Sequence, residues 1–161
     1  MMSVATIFFI YKLLYNIFFL YLCHMGKYIY ELKMKVRDYE CDLQGIVNNA
    51  NYQHYMEHAR HEFLESVGGS FSALHEQGVD LMVSKITLEY KRPLRGGDRF
   101  AVCISTVRKG ARLVFRQDIY NLNGNTLAVK GEVDVVCLKN GRLTHGEVFD
   151  VMLSEWTKNT N

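Results

Sequence analysis

An apolar stripe at helical spacing, followed by alternating stretches joined through glycine turns, limits this chain to very few folds. Tyr52, Tyr55, Met56, Ala59, Phe63 and Val67 recur at steps of three and four, which places them on one side of a helix about four turns long. Asn49 or Asn51 is expected to cap its start, and Gly68-Gly69 to end it. Downstream, Ile86, Leu88 and Tyr90 alternate with Lys85, Thr87, Glu89 and Lys91 up to a turn at Pro93, the period of a strand. Gly96-Gly97-Asp98 reverses the chain, and strands are expected at about Arg99 to Arg108, Arg112 to Asn121 and Thr126 to Lys139. Asn123-Gly124 and Asn140-Gly141 are strong hairpin signals, so successive strands should pair antiparallel. Upstream, Tyr28, Tyr30, Leu32, Met34 and Val36 alternate with charged residues as a half-buried strand, and Phe149 to Trp156 reads as a short terminal helix or a tail. A long amphipathic helix and an antiparallel meander bury both apolar faces only if the sheet curls around the helix. The expectation is an α+β domain, one central helix wrapped by a curled antiparallel sheet, whose open edges invite a second copy.

A chain of 161 residues with 48% hydrophobic residues has apolar material for one such core and little room for a second. Its formal charge of +2, from 19 basic and 17 acidic residues, is too even for the field that non-specific nucleic-acid binding uses, so no nucleic-acid partner is expected. Cys23, Cys41, Cys103 and Cys137 form neither a CxxC pair nor a zinc-like group. Reduced thiols in a cytoplasmic protein without a structural metal are the simplest reading. Residues 1–24 differ from the rest: Ile7-Phe8-Phe9-Ile10, Leu13-Leu14-Tyr15 and Ile17-Phe18-Phe19-Leu20-Tyr21-Leu22 make an apolar N-terminal extension in which only Lys12 is charged. As a membrane anchor it would carry Lys12 near its middle at a cost of about 2.5–3.5 kcal/mol. As a signal peptide it lacks a basic start and a small-x-small cleavage site. An over-extended reading frame with Met25 as the start fits the Phe, Ile, Tyr, Asn, Lys and Leu bias best, leaving residues 25–161 as the working domain. A membrane contact is expected only if the extension is a genuine anchor.

The chemistry is concentrated in Tyr39-Glu40-Cys41-Asp42-Leu43-Gln44-Gly45-Ile46-Val47-Asn48-Asn49-Ala50-Asn51-Tyr52, which sets one acidic side chain just before a glycine turn and a helix start. Aspartate supplies a nucleophile or general base, and unpaired amides in the first helical turn can polarise a carbonyl oxygen. The pairing suits acyl transfer. An aspartate before glycine is also an ordinary turn residue; the helix start seven residues later tilts the reading toward catalysis.

The run from Asp42 to Tyr52, with Tyr55-Met56-Glu57 and Ala59-Arg60, resembles the hot-dog-fold thioesterases of the 4-hydroxybenzoyl-CoA thioesterase family, and among them the small bacterial acyl-CoA thioesterases. The likeness in element order extends from Tyr28 to about Val148. It implies a hot-dog fold and hydrolysis of an acyl-CoA to free acid and CoA, with no cofactor because coenzyme A is part of the substrate. It implies that Asp42 attacks the thioester carbonyl or activates water, and that the Asn49 backbone N–H, joined by that of Val47, holds the thioester oxygen. Gly45, Val47, Asn48 and Tyr52 of the same signature are expected at the substrate. Sites between subunits imply a homodimer or homotetramer. Where relatives often carry Tyr or His, position 49 is Asn, and the Val47-Asn48-Asn49 run resembles thioesterases acting on longer fatty-acyl chains. An acyl-carrier-protein thioesterase and a non-catalytic acyl-thioester binding module are the alternatives.

Other residues weigh less. Cys41 adjoins Asp42 but has no nearby His to activate it. His54-Tyr55-Met56-Glu57-His58 matches a zinc-protease pattern, yet His54, His58 and His61 fall opposite the apolar stripe. Glu57 and Arg60 read as helix-surface or interface charges, or, through the resemblance, as a buried pair. Lys91 and Arg92 at a strand end, and Arg108, Lys109 and Arg112 around a turn, are candidates for the CoA phosphates.

Overall fold

The computed structural model describes residues 28–159; the N-terminal extension and the proposed start at Met25 lie outside the described residues. Strand β1 (Tyr30–Lys35) leads through a single 3₁₀ turn (Asp38–Glu40) to helix α1 (Asn49–Ser66). Helix α2 (Phe71–Glu76), β2 (Val79–Tyr90), β3 (Arg99–Lys109), β4 (Arg112–Asn121), β5 (Thr126–Lys139), a two-residue β6 (Arg142–Leu143) and α3 (Glu147–Asn159) follow. All strand pairs are antiparallel, in the order β1-β3-β4-β5-β2, with β6 on β5. The strand nearest α1 in sequence after the helix, β2, therefore ends up at one edge, and β1 at the other.

The register aligns one apolar face across all five long strands. Leu32, Val102, Ile119, Val129 and Tyr90 form one row, and Tyr30, Ile104, Gln117, Gly131 and Leu88 the next. Helix α1 lies on this concave face with Tyr52, Tyr55, Met56, Ala59, Phe63 and Leu64 buried. Gly131 is what lets it approach: a Cβ there would stand 2.6 Å from Met56 Cε and 3.0 Å from Leu88 Cδ2. The helix meets the floor of the sheet at the position where the sheet has no side chain.

Three details differ from the sequence expectation. Strand β2 starts at Val79, six residues before the alternation became legible, because a bulge between Val83 and Lys85 shifts its phase. Ser84 takes up the extra residue, its hydroxyl donating to Asp134 O at 3.1 Å, and Val83 and Leu81 then face the same side as Ile86 and Leu88. Helix α2 was not expected; Ser70 caps it, its hydroxyl oxygen accepting the Ala73 N–H at 3.4 Å. The cap of α1 is Asn48, neither Asn49 nor Asn51, and its side-chain oxygen accepts the Ala50 N–H at 3.0 Å. Helix α3 is tied down by Arg108, which donates to His145 O (2.7 Å) and Gly146 O (3.0 Å), pairs with Asp150 and lies over the Phe149 ring. No helix among the described residues is long and apolar enough to cross a membrane.

Candidate active site

The segment between β1 and α1 closes into a clasp. Cys41 and Val47 form a bridge, the Asp42 N–H donates to Ile46 O at 2.8 Å, and the Asn48 N–H donates to Glu40 O at 3.0 Å. Asp42 thus stands on one arm and the start of α1 on the other, with Gly45 at the tip in the left-handed region (φ 71) that favours glycine. Asp42 is half-buried, and one carboxylate oxygen accepts the Gln44 N–H at 2.8 Å, which fixes the side chain in an Asx turn and leaves the other oxygen free of a protein donor among the described residues.

Glu40 anchors the clasp, and the sequence reading passed over it. Its carboxylate is buried and accepts the Arg37 N–H (2.7 Å), the Arg37 guanidinium (3.0 Å) and the Tyr55 hydroxyl (2.8 Å). Burial pushes this carboxyl up, but the hydrogen bonds from Arg37 and Tyr55 outweigh it and hold Glu40 below its ordinary value. Burial and the adjacent Glu40 charge keep the Tyr55 hydroxyl protonated well above its ordinary range. The Glu40 carbonyl also accepts the Asn51 side-chain amide at 2.7 Å. A Glu three residues after an Arg gave no sequence signal for this role; only the fold brings Tyr55 beneath it.

At the helix end the donors divide clearly. The Val47 N–H donates to Leu94 O at 2.9 Å, so the expected second donor to a substrate oxygen is already engaged, and the Val47 side chain is buried in the core. Asn48 is occupied at both its N–H and its side-chain oxygen by the clasp and the cap. The Asn49 N–H, at the first helical position, has no acceptor among the described residues. Tyr52 is buried, and its hydroxyl accepts the Leu94 N–H at 3.0 Å, which locks the loop after Pro93 against α1. Tyr90, at the end of β2, stacks edge-on against Tyr52 and donates its hydroxyl to Asn49 O at 3.1 Å.

The expected phosphate-binding cations fare unequally. Lys91 follows Tyr90 but pairs with Glu89 at 2.6 Å, whereas Arg92 is exposed with no ion pair among the described residues. Arg108 is engaged in holding α3, Lys109 pairs with Glu132 and Arg112 with Asp134. The histidines of the protease-like pattern are exposed; His58 approaches Glu62 at 3.9 Å, and the His61 ring packs on Phe71. Arg60 is neither a surface charge nor half of a buried ion pair. It is buried and donates to Gln117 Oε1 at 2.7 Å, while Glu57 remains exposed. Cys41 has a half-buried thiol, with no His among its described contacts.

Two cavities flank α1. An open cleft of about 680 Å³ is lined by Lys33, Lys35, Arg37, Tyr39 and Tyr55 beside the clasp. A narrower cavity of about 210 Å³ lies farther along α1, between Arg60, Leu64, Phe71, Val83, Phe115 and Trp156. Asp42 lines neither.

Comparison with known proteins agrees with this architecture. A profile of the Thioesterase-like superfamily matches residues 36–156. The chain is 38% identical over 112 residues to the acyl-acyl carrier protein thioesterase ATL3 of Arabidopsis thaliana, covering 69% of this chain and 59% of that protein. It thus spans about three fifths of the length of the plant relatives it matches. It is 35% identical over 115 residues to the acyl-CoA thioester hydrolase YbgC of Escherichia coli, covering 71% of this chain and 85% of that protein. Among solved structures, a hypothetical protein from Aquifex aeolicus superimposes with a TM-score of 0.69 at 30% identity over 76% of this chain and 98% of its own. A DHNA-CoA thioesterase from Staphylococcus aureus does so with a TM-score of 0.69 at 21% identity, over 80% of this chain and 88% of its own, a likeness of fold. With the wrapped helix, the sheet order and a profile match across three quarters of its length, the chain belongs to the thioesterase-like superfamily and has its hot-dog fold.

Proposed function

We propose that this protein hydrolyses acyl-CoA thioesters to free acid and CoA, with Asp42 as nucleophile or general base and the Asn49 N–H as the donor to the thioester oxygen. The observation that carries the reading is the Asn49 N–H, without an acceptor among the described residues, on a helix start that the same clasp as Asp42 leads into. In the reaction, negative charge develops on the thioester oxygen as the carbonyl carbon is attacked. An amide fixed at a helix N-terminus stabilises that charge without reorganising. If Asp42 attacks directly, an anhydride forms and CoA leaves as the thiol after protonation; water then opens the anhydride and restores the carboxylate. If Asp42 acts as base, it takes a proton from the attacking water and returns it to the leaving sulfur. Neither route requires a metal or redox cofactor. Gly45, Val47, Asn48 and Tyr52 serve by holding the clasp and the helix end in place, and Arg92 is the better placed of the two strand-end cations for a CoA phosphate.

The half-buried Asp42 is not enclosed within one chain, and β2 leaves Val83, Ile86 and Tyr90 partly exposed at a free edge. A second copy paired along β2 would cover them and close the site, which supports a homodimer or a dimer of dimers. Reduced Cys41 and Cys137 fit a cytoplasmic setting. The 38% identity to an acyl-acyl carrier protein thioesterase favours one second reading, hydrolysis of carrier-protein thioesters by the same groups. The test is free-thiol release from matched acyl-CoA and acyl-carrier-protein substrates. Turnover of the CoA thioester is expected; turnover of the carrier-protein thioester alone would transfer the assignment, and binding without turnover of either would leave a non-catalytic module.

A further inference from the structure

The cavity of about 210 Å³ holds a feature that thioester chemistry does not use. Its walls are largely apolar, from Phe63, Leu64, Phe71, Val83, Phe115 and Trp156, yet the Arg60 side chain lines it while only 8% exposed. Of the five guanidinium N–H donors, the one described bond goes to Gln117 Oε1 at 2.7 Å. Gln117 is itself fully buried and fixed by donating to Met56 O at 2.9 Å, so it cannot swing to serve a second Arg60 nitrogen. No buried side-chain nitrogen among the described residues lacks a partner, so the unbonded nitrogens of Arg60 are those that still touch open space. A buried cation is thus held by one neutral amide and lines a mostly apolar cavity whose other ionisable walls are Glu57 and His61.

The position of this cavity relative to the clasp defines what could enter it. Arg60 lies eleven residues along α1 from Asn49, a rise of about 16 Å. The inner face of β2 runs the same way, from Tyr90 bonded to Asn49 O, past Leu88 and Ile86, to Val83 and Leu81 on the cavity wall. With carbon–carbon bonds of about 1.5 Å, about a dozen carbons in extended form would span that distance. The volume admits about seven water-sized groups, enough for a chain end and little more. A plain alkyl terminus would strip water from the Arg60 donors and give them nothing in return. Glu57, one turn earlier on α1, also lines the cavity and would repel an anion there, so a neutral acceptor suits the site better.

Building on the thioesterase reading, we propose that this cavity receives the far end of a long acyl chain and that Arg60 selects chains carrying a neutral acceptor oxygen, a hydroxyl or a carbonyl, about a dozen carbons from the thioester. Sites built to hydrogen-bond a polar group reject the analogue that lacks it. The probes are the non-hydrolysable thioethers S-(12-hydroxydodecyl)-CoA and S-dodecyl-CoA, with binding read from Trp156, the one tryptophan of the chain and part of the cavity wall. The hydroxylated thioether should bind at least about tenfold tighter, as one good hydrogen bond supplies, and Arg60→Met should abolish or reverse the preference. Equal affinities in the unmodified protein, or tighter binding of the plain alkyl thioether, would overturn the proposal without reference to any variant. Tighter binding of the analogue ending in a carboxylate would overturn the neutral-acceptor assignment. Hydrolysis of butanoyl-CoA, too short to reach Arg60, and of dodecanoyl-CoA separates the two proposals: turnover of neither would defeat the acyl-CoA thioesterase reading, whereas turnover of either with no oxygen preference in binding would defeat this one alone.

Discussion

Replacing Asn49 with proline isolates a single hydrogen-bond donor. Proline is favoured at the first helical position, because it lacks only an N–H that has no helical partner. The residue before it must be extended, and Asn48 already has φ −58 and ψ 137. Asn49 N–H donates to nothing among the described residues, so its loss breaks no bond of the fold. Stability should stay level or rise by about 0.4–1 kcal/mol. Turnover should fall about 10²–10³-fold, the 2.7–4 kcal/mol that removal of one oxyanion donor costs elsewhere. Steady-state thiol release from an acyl-CoA, beside a thermal melt, reads both quantities. Asn48→Ala is the control: it deletes the side-chain oxygen that accepts the Ala50 N–H and leaves the Asn49 N–H in place, so it should lose about 0.5–2 kcal/mol of stability and retain more activity. If Asn49→Pro melts normally and turns over within about threefold of the unmodified protein, less than 1 kcal/mol of barrier, the helix-end amide is not the electrophilic group.

Three further outcomes follow from the same geometry. Glu40 is held below its ordinary carboxyl value, so its stabilisation is complete above about pH 4.3 and fades as pH falls below it. The melting temperature should therefore drop more steeply on acidification for the unmodified protein than for Glu40→Gln, and parallel curves would contradict the role given to this carboxylate. Arg108→Ala removes the contacts to His145 O, Gly146 O, Asp150 and the Phe149 ring, and should cost about 1–3 kcal/mol and expose α3 to protease ahead of the sheet; a helix as resistant as before would show that α3 docks without it. Light scattering should give twice or four times the chain mass of 18.7 kDa across a dilution series, and a monomer at every concentration would rule out pairing along β2.

The sequence carried the architecture where its periodicities were unbroken. The α1 stripe, β3 to β5 and their glycine turns fall where the alternation put them. It was silent where phase was interrupted: the Ser84 bulge flips the register midway along β2, so Val79 to Val83 shows no continuous alternation with Ile86 to Tyr90. Around the clasp, side-chain type alone could not reveal function. Asn48, Asn49 and Asn51 are three plausible caps within four residues, and only backbone geometry assigns the cap to Asn48 and leaves the Asn49 amide open. Glu40 and Gln117 gave no signal because their partners, Tyr55 and Arg60, are distant in sequence or meet them through a carbonyl. Arg108 looked like a surface cation because its acceptors on the loop before α3 lie far along the chain.

Asp42 carries the proposed chemistry most directly. Substituting Asn preserves the Asx turn to Gln44, since the amide oxygen can still accept that N–H, while removing the charge needed to attack or to take a proton. Single-turnover hydrolysis of an acyl-CoA by folded Asp42→Asn protein should be slower by at least about 100-fold, near 2.7 kcal/mol of barrier. A rate within a few-fold of the unmodified protein would show that the Asp42 carboxylate takes no part in breaking the thioester.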